Sequence, residues 1–428
     1  MVIRKELNNH MRVVMEPMEQ FTSVSIGVWV DAGSANENPD NNGIAHVAEH
    51  MLFKGTATRS ARDIADETAA LGDHLDAYTS KECTCYCIKT LGEYADKALE
   101  IIADMICHPK LDPQDLKKEL GVILDEIDMY EDDADELVHE LLQKKIWQDH
   151  PLGYIISGEK DVVRHFDTDV LRRFMNTYYN GRHLLISVAG RFDPETMLAA
   201  IKKQFGDISA GAPAAPVLPP VYHQTLVCRH KDIEQMHFDL AFDGIPYEHE
   251  DKYVLGVVNS ILGGNGNSRL FQEVREEKGL AYTVYSYGSS FKQCGLFQIY
   301  AAMAPEQTAQ VLDAVLASVE RMRKEAVSER ELSLTKRQIQ TELLMSAEST
   351  HNRMEANAKA WLYNEHQETL QETAAHVAAV TAEDVSAFMQ KYLRMERLCA
   401  AFVGNLPAMD ADAVNAVFKK WGIPLKVQ

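Results

Sequence analysis

The sequence predicts an α+β fold of two related domains, each a mostly antiparallel sheet with helices packed on one face. Two observations predict it: an order of strands and helices that recurs in both halves, and a charge-free Pro/Ala/Gly stretch close to mid-chain. At 428 residues the chain also exceeds the size at which a single core normally stops growing.

In the first half, the β-branched and aromatic run Val24–Val30 predicts a strand, followed by a loop to Asn42 and a helix from Gly43. A second strand follows at Cys83–Thr90, then helices over Tyr94–Ile106 and Pro113–Tyr130. The second half repeats the order: a strand at Met236–Phe242, a helix over Asp251–Leu262, a strand at Gly295–Ala301, then helices over Pro305–Glu325 and Ser328–Ser346. Repetition at this spacing reads as an internal duplication. The stretch 209–221 carries four prolines and reads as a semi-extended linker. Expected domains are therefore 1–208 and 222–428. Gly263-Gly264-Asn265-Gly266-Asn267 lacks the Lys-Ser/Thr ending of a phosphate-binding loop and reads as a helix-ending turn.

Composition narrows the function classes. A net charge of 43 − 64 = −21 argues against nucleic acid or an anionic membrane surface as partner. No apolar run reaches the length of a membrane span, and the N-terminus lacks the apolar segment of a secretion signal, so a cytoplasmic location is expected. Seven cysteines then read as reduced thiols. Cys83, Cys85 and Cys87 alternate as strand residues on one sheet face; they lack the Cys-x-x-Cys pairing of zinc sites and are expected to be buried.

The chemistry concentrates in His46-Val47-Ala48-Glu49-His50. On a helix, residues four apart share a face, so His46 and His50 can present two imidazoles to one ion, with Glu49 on the flank. A carboxylate beside a metal-held water can take its proton. The small apolar neighbours Ala45, Val47 and Ala48 predict burial, where two histidines and a glutamate without a shared purpose would be costly. Glu119 and Glu126, seven apart, line one face of a second helix, and two like charges there call for a cation. The corresponding helix of the second half, around Val254–Ser260, offers no metal ligand. Chemistry is thus expected in the first half.

Together, His46–Thr56 (His-Val-Ala-Glu-His-Met-Leu-Phe-Lys-Gly-Thr) and a glutamate 76 positions beyond His50 resemble the signature of the pitrilysin/insulinase family of inverted-motif zinc metallopeptidases, which includes the mitochondrial processing peptidase group. The resemblance implies one zinc per chain held by His46, His50 and Glu126, Glu49 as general base, and Glu119 supporting the ligands. It implies that Leu75–Glu82 is a sheet edge pairing with substrate backbone, and that Phe53, Asp76 and Ala77 touch substrate; the family usually has Asn where this chain has Asp76. Ser268–Tyr282 also matches, which implies that Arg275 and Tyr282 bind substrate carbonyl oxygens and the developing oxyanion. The implied protein is a clamshell closing on unfolded peptides, active as a homodimer. Two other readings stay open: a processing peptidase for targeting sequences, and a non-catalytic partner subunit, although this chain keeps all three ligands and the base.

Overall fold

A computed structural model describes residues 2–72, 75–213, 218–363 and 366–427. Among these the chain forms two sheets. The first contains β1 (Ile3–Glu6), β2 (Arg12–Pro17), β3 (Ser23–Val30), β4 (Asp76–Thr79), β5 (Thr84–Leu91) and β6 (Leu184–Gly190), in the order β1-β2-β6-β3-β5-β4. The second contains β7 (Leu226–His230), β8 (Met236–Asp243), β9 (Thr283–Ser290), β10 (Gly295–Met303) and β11 (Cys399–Gly404), in the order β7-β11-β8-β10-β9.

With β1 set aside, the two orders correspond strand for strand. One parallel pair recurs in each, β2 with β6 and β7 with β11, and the other pairings are antiparallel. The internal duplication expected from the sequence is therefore a duplication of topology.

Strand alternation explains the layers. Along β3, Val24, Ile26, Val28 and Val30 enter the main core of the first sheet, where they meet Val47, Ala48 and Met51 of the helix Ile44–Leu52 and Leu99 and Ile102 of the helix Ala95–Cys107. The opposite face carries Trp29 with Cys83, Cys85 and Cys87, all buried. The three thiols thus share one face, as their spacing predicts, and none of the seven cysteines is in a disulfide.

That second face has its own cover. Met354, Ala358 and Leu362, four residues apart along the helix Thr350–Tyr363, pack onto Trp29 and the cysteines. Thr350 Oγ1 lies 3.0 Å from Ser25 Oγ, and Ser187 Oγ donates to the Met354 carbonyl at 2.8 Å. Arg353 forks onto both carboxylate oxygens of Glu16 at 2.9 and 2.8 Å. This helix comes from the second half of the sequence. Conversely, the helix Ala134–Ile146, from the first half, lies against β8 and β11 of the second sheet. The compact units are accordingly 1–129 with 154–218 and 345–367, and 130–153 with 219–344 and 368–428. Residues 214–217 of the Pro/Ala stretch lie outside the described residues, and its remaining residues form neither helix nor strand. No described helix is long and apolar enough to cross a membrane.

Candidate metal centre

The helix Ile44–Leu52 is buried along most of its length, including Ile44, Ala45, Val47, Ala48, Met51 and Leu52. Its start is held from outside the helix. Gly43, the residue that caps it, sits at φ +100°, and a Cβ there would stand 2.9 Å from the Gly158 Cα. Gly43 has no side chain to satisfy the first backbone donors. Glu37 does so instead: Oε2 accepts from Gly43 N at 2.7 Å and Asn42 Nδ2 at 2.8 Å, and Oε1 accepts from Ala45 N at 2.8 Å. Asn42 Nδ2 also donates to the Ile155 carbonyl at 2.9 Å. A buried carboxylate from the preceding loop therefore fixes the helix that bears both histidines.

Burial pushes the Glu37 carboxyl up to about 8, against the opposing pull of the Ala45, Asn42 and Gly43 donors. The unfolded value is about 4.5. Between these two values the folded chain holds a proton that the unfolded chain does not. Stability from this group is therefore full below about pH 4.5 and is lost as pH rises through about 8. Relative to Glu37→Gln, the wild type should lose about 1.4 kcal/mol of unfolding free energy per pH unit across that window, whatever fixed cost the substitution carries. Thermal unfolding of both proteins from pH 5 to 8 measures this, and parallel curves would refute it.

His46 and His50 leave the same side of the helix one turn apart, with ring centroids 4.5 Å apart and their Nε2 atoms 3.2 Å apart. Glu126, on the helix Pro113–Asp132, brings Oε1 to 3.8 Å from His46 Nε2 and Oε2 to 3.6 Å from His50 Nε2. The three groups offer ligand atoms that all lie within 4.8 Å of one another. Nitrogen and oxygen ligands about 2.05 Å from a tetrahedral zinc stand about 3.3 Å apart, so the observed spacings suit one such ion. Burial and the neighbouring His50 push His46 down to about 4, which leaves a neutral imidazole with a lone pair to give.

Glu119 sits two turns before Glu126 and is buried. Its Oε1 lies 2.9 Å from His50 Nδ1 and its Oε2 2.6 Å from Lys54 Nζ. A proton on Nδ1 shared with Glu119 turns the His50 Nε2 lone pair toward Glu126 and His46. His46 has no such partner on its far nitrogen: its Nδ1 is buried without a hydrogen bond among the described residues. Lys54 also answers part of the charge problem posed by two glutamates on one helix face, because it neutralises Glu119 directly.

Glu49 stands between the histidines in sequence, and its Oε2 accepts from Thr79 Oγ1 at 2.5 Å. Burial raises its carboxyl above the usual range, while that bond and the His50 charge pull it down. Thr79 belongs to β4, the edge strand of the first sheet, where Asp76 is exposed and Ala77 half-buried. Phe53 follows the helix, half-buried, with its ring centroid 6.5 Å from that of Tyr86. The structure thus brings together His46, His50, Glu126, Glu119 and Glu49, with β4 against the same helix. Arg275 and Tyr282 belong to the second unit. They meet each other there, the guanidinium carbon lying 5.6 Å from the Tyr282 ring and 4.7 Å from that of Phe271. Tyr282 is 72% exposed.

Sequence reasoning missed Glu37, Lys54 and Thr79. Lys54 and Thr79 lie inside segments already singled out, but the partners that give them meaning are distant in sequence. Only a carboxylate six residues before a glycine-started helix could have signalled Glu37.

A two-sheet fold of duplicated topology with a His-x-x-Glu-His helix facing a glutamate defines a class of metallopeptidase-like proteins. Residues 12–160 match the family profile described as insulinase (peptidase family M16), and residues 165–339 match that described as the peptidase M16 inactive domain. A Bacillus subtilis (strain 168) protein named uncharacterized zinc protease YmxG is 39% identical over 411 residues, covering 95% of this chain and 100% of its own length. A Streptomyces coelicolor protein, uncharacterized zinc protease SCO5738, is 34% identical over 422 residues, covering 97% of this chain and 92% of its own. In fold, the chain is similar to the crystal structure of a protease from Helicobacter pylori, with a TM-score of 0.89, 21% identity, and coverage of 94% and 99% of the two chains. This chain belongs to the insulinase family, peptidase family M16.

Proposed function

We propose that this chain is a zinc-dependent peptidase that hydrolyses unfolded peptides, with His46, His50 and Glu126 as metal ligands and Glu49 as general base. The observation that carries the reading is the convergence of His46 Nε2, His50 Nε2 and the Glu126 carboxylate, with the Glu49 carboxylate on the same helix. The names of the relatives, zinc proteases, agree with it.

Bound zinc would lower the pKa of a water molecule and polarise the substrate carbonyl. Glu49 takes a proton from that water at its carboxylate and returns it to the leaving amine. Thr79 Oγ1 orients the Glu49 carboxylate by donating to one oxygen, which leaves the other for the proton. Glu119 holds the proton of His50 on Nδ1. As the edge strand of its sheet, β4 offers its outer side to an extended peptide, a mode of binding that is indifferent to most side chains. We assign Phe53, Asp76 and Ala77 to contact with that peptide, and Arg275 and Tyr282 to its carbonyl oxygens. Homodimerisation belongs to the same reading.

Digestion of a mixed peptide library, with and without a chelator and with folded proteins as control, tests the proposal. Chelator-sensitive cleavage of peptides alone is the expected result. Broad trimming would mark a degradative enzyme, and a few defined cuts a processing one. Cleavage that survives full removal of zinc would refute the assignment.

A further inference from the structure

The helix Glu329–Ser346, in the second unit up to Leu344, buries Leu332 and Thr335 and packs Ile339 against the core of the second sheet. Its opposite face is uncovered. On that face stand Arg330, Leu334, Arg337, Thr341 and Leu344, all exposed, at successive spacings of four, three, four and three. Leu334 is 54% and Leu344 57% exposed. Residues at this spacing form one stripe along a helix, here about 21 Å long. No acid interrupts the stripe. Glu331 lies to one side of it, where Arg269 forks onto the carboxylate at 2.9 and 2.8 Å, and Glu342 accepts from Gln338 Nε2 at 3.0 Å. The guanidinium groups of Arg330 and Arg337 meet no carboxylate among the described residues. In a chain of net charge −21, two unpaired arginines set among bare leucines reverse the sign of the surface locally. A cleft of about 380 Å³ runs along one flank, lined by Glu329, Ser333, Lys336, Arg337 and Gln340 of this helix and by Ala378 of the helix Leu370–Ala379. Lys336 Nζ donates to the Ala378 carbonyl at 2.8 Å and Gln340 Nε2 to the Ala374 carbonyl at 2.9 Å, which holds the two helices together at the cleft.

We infer that this stripe docks an acidic amphipathic helix of a partner protein. The inference is independent of the peptidase reading above. Alternation of four and three is the spacing of a helix–helix seam, in which side chains of one helix enter holes of the other. An extended peptide, with a side-chain period of two, does not match it. Leu334 and Leu344 give such a partner apolar surface to bury. Arg330 and Arg337 call for carboxylates, because a guanidinium pairs with a carboxylate through two parallel hydrogen bonds. A carboxylate opposite Arg337 also comes within reach of the flanking cleft, where Lys336 lies. Charge argues for a partner helix over an anionic membrane. A bilayer presents a broad negative surface to the whole molecule, whose −21 it would repel, whereas a helix laid on the stripe meets the two arginines directly and distant charges are screened by salt.

Three labelled synthetic helices test this, with Leu and Glu, Leu and Gln, or Leu and Lys alternating along a four-three seam. Binding to the full chain carrying Glu49→Gln is read by fluorescence anisotropy, so that no probe is cut. The Glu helix should bind ~10-fold or more tightly than the Gln helix, with a margin that shrinks as salt is raised. Arg330→Glu/Arg337→Glu changes only exposed positions, so its thermal unfolding should match that of the parent. It should lose the Glu helix and gain the Lys helix, a reversal that misfolding would not produce. Leu334→Ser/Leu344→Ser should weaken the Glu helix ~10-fold, whereas Leu91→Ser, which removes an exposed leucine from the first unit, should leave it unchanged. Equal binding of the three helices, or a preference for Glu that survives the charge reversal, would overturn the inference. So would displacement of the Glu helix by an unfolded peptide that the wild type cleaves, which would make the stripe a substrate surface. Two further results would reassign the stripe and equally overturn it. One is tighter binding to phosphatidylglycerol vesicles than to the Glu helix, abolished by the charge reversal. The other is dissociation of a dimer of this chain by that same variant.

Discussion

Glu49→Gln should bind zinc at close to one ion per chain and lose peptide hydrolysis by ~1,000-fold or more. Proton transfer by a positioned carboxylate is worth ~100- to 10,000-fold in rate, and an amide cannot take the proton. The substitution is close to isosteric, so the oxygen that accepts from Thr79 Oγ1 has a counterpart, and the helix Ile44–Leu52 keeps its packing. Glu49 is not among the groups whose ligand atoms cluster within 4.8 Å, so metal content should stand. Parallel measurement of kcat/KM on a quenched fluorescent peptide and of zinc by atomic absorption separates the two effects. Near-normal turnover in the variant would show that another group accepts the proton.

The second large effect concerns the metal itself. Glu126→Gln should weaken zinc binding at least ~10-fold and remove activity in proportion, because it takes an anionic ligand from a set of three. Glu119→Gln offers the informative contrast. It keeps an acceptor for His50 Nδ1 but loses the charge paired with Lys54 Nζ. Its affinity loss should fall between wild type and Glu126→Gln. Competition with a chromophoric chelator at fixed pH measures all three. Equal affinity in Glu126→Gln and wild type would remove Glu126 from the ligand set.

Much of the fold was legible because its signals are local and periodic. The strands at Val24–Val30, Cys83–Thr90 and Gly295–Ala301 each end within two residues of the expected place, and the helices expected from Gly43 and Pro113 begin within one. Strands β1, β2, β6, β7, β9 and β11 were not among the expected elements. β1, β2, β7 and β9 are short or only partly buried, and their stability comes from neighbours far along the chain rather than from their own pattern. β6 and β11 are buried throughout, and short apolar runs of that kind carry no alternation to separate strand from helix. The candidate site divides the same way. A helix periodicity of four announces His46 and His50, whereas pairing them with Glu126 needed the family spacing, since no local rule relates residues 76 apart. Glu37 and the Thr79 bond to Glu49 are tertiary facts with no local trace.

The exchanged helices change what a half of this sequence is. A fragment stopping at residue 208 would lack Met354, Ala358 and Leu362, and would leave Trp29 and three thiols bare on one side of its sheet. The complementary fragment would lose the helix that lies against β8 and β11. The gene therefore carries two tandem copies of one pattern, yet neither copy is a self-sufficient folding unit. The first unit gains the Thr350–Tyr363 cover of its sheet only after three quarters of the chain has been synthesised. Quality control on the ribosome would meet an apolar, thiol-lined surface until then.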